Sequence, residues 1–364
     1  MTDTDTPKRI RQLDFSDRPE QLEYFLGALN SSSISVTSSI RLRSTQSIDP
    51  GEYLTRFLSL SFPKLSNLDI ENFLPDSSSP IFTTSNLSSL KLRSPYDILP
   101  HYTLAQVSQV LHRHSDLREL DVEIGAAPLI ESPDAPVPFP LPQLVNLRLY
   151  ATETAIARLI DLVRMSSPLH NVTIHFSYSH GQTIPALANV VGKVVVACYE
   201  CQGLDFPRRA NCLTILSDTS RNSLVFNAES HSTSASHPMS QLKLQFDRTD
   251  SEFMEMISHL LPLNYVHEFT AIGLNLPTAR WHRILRKMGG LLHMLLGQLD
   301  MGSVLRALDF DDQGVYNEVT EITSNHSQTH RRVIWIVRSQ TAIIVTHKPR
   351  HLPLHSSETV GRPA

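Results

Sequence analysis

Three cysteines and 17 scattered histidines are the side chains with most scope for chemistry in this 364-residue chain. Cys198-Tyr-Glu-Cys201 has the C-x-x-C spacing of a zinc half-site or a redox pair, with Cys212 eleven residues on and His231 or His237 as a conceivable fourth ligand. Tetrahedral zinc needs four converging donors, and only one pair here has ligand spacing. A redox pair would sit in a thioredoxin-like βαβ context, which the surrounding sequence does not suggest. Cys198 and Cys201 are therefore read first as structural cysteines, with a metal or redox protein as the distant alternative. The chain contains no G-x-S-x-G, H-E-x-x-H, G-x-x-x-x-G-K-[ST] or G-x-G-x-x-G, the spacings that build a nucleophile elbow, a zinc protease helix or a phosphate cradle. His112 and His114 fall at the end of a helical stretch, where a cation favours the helix dipole. No catalytic residue, cofactor or metal site is expected, and the chain reads as non-enzymatic.

A second set of polar residues is more informative because it recurs. Asp69 and Glu71, Lys91 and Arg93, Asp121 and Glu123, Arg148 and Tyr150, Thr173 and His175, and Lys243 and Gln245 occupy equivalent places in six similar stretches. In each they alternate with apolar residues, so they project from one face of a short strand while the apolar residues project from the other. Acidic and basic pairs alternate along the first four stretches. Two roles are compatible: a cross-strand ladder Asp69–Lys91–Asp121–Arg148, and the floor of a partner-binding face with Tyr150 as an aromatic anchor. Asp69, Glu71, Lys91, Arg93, Asp121, Glu123, Arg148, Tyr150, His175 and Lys243 are the candidate partner-binding residues.

The elements that must hold them follow from the pattern L-x-x-L-x-L. It appears as FPKLSNLDI (62–70), TSNLSSLKL (84–92), HSDLRELDV (114–122), LPQLVNLRLY (141–150) and SSPLHNVTI (166–174), with a weaker copy, HPMSQLKLQF, at 237–246. First-leucine steps of 22, 30, 27 and 25 residues lie in the range of leucine-rich repeats. One such strand cannot bury its apolar face alone, whereas stacked units make a continuous core. Parallel strands need a returning crossover. The capping box Thr103-Leu-Ala-Gln106 opens one such helix, and Ile156, Leu159, Ile160 and Val163 mark another. The expected fold is α/β: an irregular horseshoe solenoid with a parallel sheet on the concave side and helices on the convex side.

Residues 1–16 are expected to be a mobile arm, 17–310 the solenoid, and 311–364 a non-repeat, largely disordered tail. Within the solenoid, Asp17-Arg-Pro-Glu20 starts a helix, with Leu22, Phe25, Leu26 and Leu29 as its apolar stripe, and Ser39–Arg43 forms a strand. From 177 to 238 the repeat becomes hard to follow; strands are expected at 194–197, 213–216 and 224–226, with further weak units at 266–272 and 291–296. Gly289-Gly290 is expected to cap the helix TARWHRILRKM.

A formal charge of −4 argues against nucleic acid or an anionic membrane as the main partner. The N-terminus has no apolar signal region, and an odd, small cysteine count implies no disulfide framework. A cytoplasmic or nuclear setting is expected. The longest apolar run, Val333 to Val345, is interrupted by Arg338 and Gln340 and falls short of the roughly 20 residues of a spanning helix.

The stretches Ser77–Val122, Leu144–Ser167 and YECQGLDFPRR at Tyr199–Arg209 resemble the leucine-rich-repeat region of a large family of fungal F-box proteins, over roughly residues 20–310. The resemblance implies the substrate-binding part of a receptor for cullin–RING (SCF) ubiquitin ligases, in which the repeats choose a protein target and an N-terminal F-box docks on the Skp1 adaptor. No L-P-x-E-[LI] segment precedes the repeats, and the Asp17–Asn30 helix is too short to substitute. A Skp1-type adaptor is thus expected only if the full-length product carries an F-box; a repeat-only scaffold unconnected to ubiquitin is the alternative. The family's asparagine after each strand is replaced by Phe73, Pro95, Gly125, Thr152 and Ser177, which makes the expected solenoid irregular.

Overall fold

The computed structural model describes residues 10–28, 37–45, 52–72, 75–83, 86–93, 102–125, 138–164, 169–177, 183–199, 210–218, 220, 223–230, 240–247, 251–297, 299–309, 321–325, 332–338 and 341–347. Each L-x-x-L-x-L segment forms a strand where its apolar residues alternate. In chain order the first strands are β1 (Gln12–Asp17), β2 (Ser39–Ser44), β3 (Asn67–Glu71), β4 (Ser89–Arg93), β5 (Glu119–Glu123), the short β6 (Phe139–Pro140), β7 (Asn146–Ala151), the short β8 (Val163–Arg164) and β9 (Asn171–Phe176). Then come β10 (Cys212–Asp218), β11 (Ser223–Ser230), β12 (Ser240–Phe246), β13 (Glu268–Ile272), β14 (His293–Gly297), β15 (Glu321–Asn325), β16 (Arg332–Arg338) and β17 (Thr341–His347). All but β6 and β8, which pair with each other, belong to one sheet ordered β1-β2-β3-β4-β5-β7-β9-β12-β11-β10-β13-β14-β15-β16-β17.

From β1 to β9 each strand pairs in parallel with the next, in unbroken register. The crossovers carry helices α1 (Pro19–Ala28), α2 (Glu52–Leu58), α3 (Pro80–Thr83), α4 (Leu104–Leu111) and α5 (Glu153–Leu162). The fold is therefore an irregular, open leucine-rich-repeat-like solenoid, with a mainly parallel sheet along one side and helices along the other. Helices are about 10 Å wide and strands about 4.8 Å apart, which makes the sheet the inner side of the stack.

The inward residues form a single core. The strand pairs Leu68/Ile70, Leu90/Leu92, Leu120/Val122, Leu147/Leu149 and Val172/Ile174 are buried, and so are the leading leucines Leu65, Leu87, Leu117, Leu144 and Leu169. Each such side chain contributes about 1.5–3 kcal/mol of burial. Helix α4 brings Leu104, Val107, Val110 and Leu111 onto this core. Its start is fixed by the expected capping box: Gln106 N donates to Thr103 Oγ1 (3.2 Å) and Thr103 N to Gln106 Oε1 (2.9 Å). Thr152, which occupies a missing-asparagine position, caps α5 by accepting from Ala155 N.

The segment expected to hold degenerate repeats is built differently. Helix α6 (Ile184–Tyr199) takes up the residues expected as a strand at 194–197. The chain then enters β10 beyond two empty places, returns antiparallel through β11, and fills the place beside β9 with β12, which is parallel to β9. Helix α7 (Ser251–Leu260) crosses back to β13, parallel to β10, and the expected units at β13 and β14 follow around α8 (Thr278–Leu285). An antiparallel meander thus replaces a repeat. Helix α8 ends with Arg286 as its cap residue in right-handed helical conformation, so Gly289-Gly290 serves the following turn and not the cap. Helix α9 (Met301–Asp309) closes the series.

Strand pairing also reaches outside the expected 17–310 boundaries. β1, all but Asp17 of which falls in the stretch expected to be a mobile arm, pairs along its length with β2. In the stretch expected to be largely disordered, β15 pairs parallel to β14, and β16 and β17 continue antiparallel. Their runs are rich in Val and Ile, residues that favour a pleated backbone. Among the described residues no helix is long and apolar enough to cross a membrane.

Candidate interaction surface

The outward side chains of neighbouring strands form rows because a parallel register keeps equivalent residues level. The central row reads Asp14, Arg41, Asp69, Lys91, Asp121, Arg148, Thr173 and Lys243. The row toward the strand C-termini contains Arg43 level with Glu71, then Glu123, Tyr150, His175 and Gln245. Asp69, Glu71, Lys91, Arg93, Asp121, Glu123, Arg148, Tyr150, His175 and Lys243 consequently lie on one face, spread over six adjacent strands.

Their pairing departs from the simple ladder. Asp69 Oδ2 is held by Arg41 Nε (3.1 Å) and by Arg43 Nη2 (2.9 Å), while Arg43 Nε also reaches Glu71 (3.2 Å). Lys91 Nζ meets Glu119 at 2.7 Å, on the row toward the strand N-termini. Arg93 Nη2 takes Asp121 at 2.9 Å, and Arg148 Nη1 approaches the same oxygen only to 3.7 Å. The ladder is thus diagonal. Arginine's long planar fork reaches a carboxylate one strand over and two residues back, so Asp69 is closed off before Lys91 can compete.

Asp69 and Asp121 sit deepest, with side chains 12% and 11% exposed, yet they respond in opposite directions. Burial pushes the Asp69 pKa up, but hydrogen bonds from Arg43 and then Arg41 outweigh it and hold the carboxyl below its usual range. At Asp121 burial prevails over Arg93 and Arg148, and the pKa is raised. Toward β12 the surface changes character: Tyr150 and His175 stack edge to face with ring centroids 4.3 Å apart, and His175 Nε2 lies 2.7 Å from Asp247. Beyond β12 the same row turns apolar, with Val225 level with Leu216 and Leu216 level with Ile272.

Sequence reasoning missed Asp14, Arg41, Arg43, Glu119 and Asp247. Arg41 and Arg43 alternate with Ile40 and Leu42 in SIRLRS, and that alternation was the available signal. Cys201, His231 and His237 lie outside the described residues, as does the side chain of Cys198. Cys212 is a free thiol; burial first, then a hydrogen bond to Glu268, pushes its pKa up to about 12, the reverse of what a metal ligand or redox thiol requires. Among the described residues no group of three or more His, Cys, Asp or Glu side chains is placed to hold a metal. His114 does not act as a helix-end cation: it is buried, and burial lowers its pKa, only partly opposed by the Phe82 backbone.

No family model matches the chain, and no curated protein matches it. Among solved structures, the crystal structure of the leucine-rich repeat-containing protein LegL7 from Legionella pneumophila is similar, with a TM-score of 0.37 at 10% identity over 87% of this chain and 91% of that one.

Proposed function

We propose that this protein is a non-enzymatic recognition solenoid that binds another protein across the outward face of its sheet. The observation that carries this reading is the continuous register from β1 through β9 to β12, which sets charged and aromatic side chains in ordered rows on one face of the sheet. Such arrays on solenoids are extended binding surfaces, and tyrosine and arginine, present here as the half-buried Tyr150 and the exposed Arg148, are the residue types enriched at interaction hot spots. The finer reading is the substrate-binding part of an F-box-type ubiquitin ligase receptor; the resemblance of 77–122 and 144–167 supports it. A repeat-only scaffold without a ubiquitin connection is the second reading.

A photo-crosslinking amino acid placed at Gln245, on the sheet face, and separately at Ala105, on the helical side, tests the first statement. Defined protein adducts from position 245 and none from 105 are expected; equal labelling from both would end the proposal. Retention of a purified Skp1-type adaptor by the full-length product would favour the receptor over the scaffold.

A further inference from the structure

Along the central row the charge alternates strand by strand, Asp14, Arg41, Asp69, Lys91, Asp121, Arg148, and then the alternation breaks. The place on β9 that would carry the next carboxylate holds Thr173, and β12 resumes with the cation Lys243. We propose that this notch, floored by Thr173 between Arg148 and Lys243 and flanked by the Tyr150–His175 pair, receives an acidic side chain from an extended segment of a protein partner. The inference rests on the recognition reading above and specifies the chemistry of what is recognised.

Two cations that no described carboxylate holds closely, Arg148 and Lys243, border the notch. Of the nearby carboxylates, Asp121 pairs with Arg93 at 2.9 Å, Asp247 lies 2.7 Å from His175, and Glu229 is turned toward the neutral amides of Asn227 and Gln241 at 2.6 and 3.1 Å, which fix its direction and leave its charge in place. Arg148 is 59% exposed, and among the described residues its carboxylate contact is a 3.7 Å approach to Asp121, which Arg93 holds more closely. A guanidinium has five N–H donors, so most of its capacity faces outward. Lys243 has no hydrogen-bond or ion-pair partner among the described residues. Arg148 and Lys243 stand on strands two places apart, about 9–10 Å between backbones, which leaves room for one carboxylate or phosphate group between their ends. Such a group gains two charge-assisted contacts and a hydroxyl donor from Thr173. The same anion over any earlier rung would meet cations already neutralised by Asp69, Glu119 or Asp121.

Phage-displayed random dodecapeptides, selected in parallel on the wild-type chain, on Thr173→Asp and on the double variant Arg148→Gln/Lys243→Gln, test the proposal. Thr173→Asp supplies the missing carboxylate from within and closes the notch. Enrichment of Asp and Glu is expected on the wild type alone, and synthetic copies of the selected peptides should bind both variants at least tenfold more weakly. The helix-side variant Lys193→Gln should bind like wild type. Replacing the enriched acid by phosphoserine reports the preferred anion: tighter binding identifies a phosphate, weaker binding a carboxylate. The double variant keeps the test valid if Thr173→Asp melts early. No acidic enrichment, no retained peptide, or equal affinity for the wild type and the double variant would overturn the notch. Peptides that bind without acidic preference, together with face-specific crosslinks from position 245, would remove the notch and leave the recognition surface standing.

Discussion

Arg43 Nη2 lies 2.9 Å from Asp69 Oδ2 although the register sets Arg43 level with Glu71. The same oxygen accepts from Arg41 Nε. The depressed pKa of Asp69 means that the folded state holds the ionised form more favourably than the unfolded chain does. Its stabilisation is complete above the ordinary carboxylate value of 3.8 and is lost as pH falls through the lower folded value. Asp69→Asn should cost about 1–2 kcal/mol at pH 7. Urea unfolding of both proteins should show the gap narrowing as the pH is taken below 3.8; a gap independent of pH would contradict the assignment.

Asp121 occupies an equivalent position two strands along and should behave oppositely. Burial raises its pKa despite Arg93 and Arg148, so ionising it costs more in the folded protein than in the unfolded chain. That cost is present at neutral pH and is relieved as pH falls through the raised folded value. Asp121→Asn is therefore expected to match wild type at pH 7 or exceed it by up to about 1 kcal/mol, the difference vanishing in acid. A loss like that of Asp69→Asn would show that Arg93 and Arg148 outweigh burial after all.

His114 adds pH dependence in a different window. Its folded pKa is depressed by burial from the ordinary 6.5, so the neutral ring is the folded form. The contribution is fully present above 6.5 and declines as pH falls toward the folded value, because only the unfolded chain takes up the proton. The difference in stability between wild type and His114→Gln, measured by urea unfolding at pH 7.5 and 5.5 (about one unit either side of the ordinary histidine value), should shift against wild type at the lower pH. An unchanged difference would mean that His114 titrates as an exposed histidine.

The contrast between these three residues bears on what a sequence can disclose. Leu68 with Ile70 and Leu147 with Leu149 announce their strands because alternation is a local property, and register then follows from burying one face. The placement of Lys91 between Asp69 and Asp121 was legible for that reason. Its actual partner, Glu119, was not, since the choice among nearby carboxylates depends on side-chain reach in three dimensions. The meander of β10 to β12 was also hidden: LTIL and LVF have the alternation of strands but carry no mark of direction or of spatial order. Val194 and Val195 read as strand by composition, and helix α6 claims them because their burial fits a longer helical stripe with Leu187, Val190 and Val191.

A turn device shared by distant parts of the sheet can be tested directly. Asn72 follows β3 with φ of 70° and Gly273 follows β13 with φ of 74°. Each donates its backbone N–H, at 2.9 Å, to the last carbonyl of the next strand, Arg93 and Gly297 respectively. Asn72 tolerates the left-handed region and uses its side-chain amide on the Ser44 carbonyl of the preceding strand, a role near that of the asparagine thought to be missing one position later. A Cβ on Gly273 would come within 2.1 Å of the Ser217 carbonyl oxygen. Gly273→Ala should therefore cost at least about 3 kcal/mol. Asn72→Gly keeps the backbone and loses only the amide, and should cost about 1–2 kcal/mol. Thermal or urea melts ranking the two variants the other way would refute the account.

Cys212 offers the last prediction, and it concerns reactivity. Its thiol lies 3.4 Å from Glu268 Oε2, and burial with that carboxylate lifts the pKa from 9.0 to about 12. Since the thiolate is the reacting species, the thiol is suppressed by roughly a thousandfold relative to an ordinary cysteine. In a Cys198→Ser/Cys201→Ser background, where Cys212 is the only cysteine left of three, reaction with a chromogenic disulfide at pH 8 should be at least a hundredfold slower than with free cysteine. Glu268→Gln should accelerate it without restoring the free rate, because the charge is removed while burial remains. A fast reaction in the Glu268-containing protein would show that the thiol is not held in this way, and would reopen a redox role for Cys212 at the start of β10.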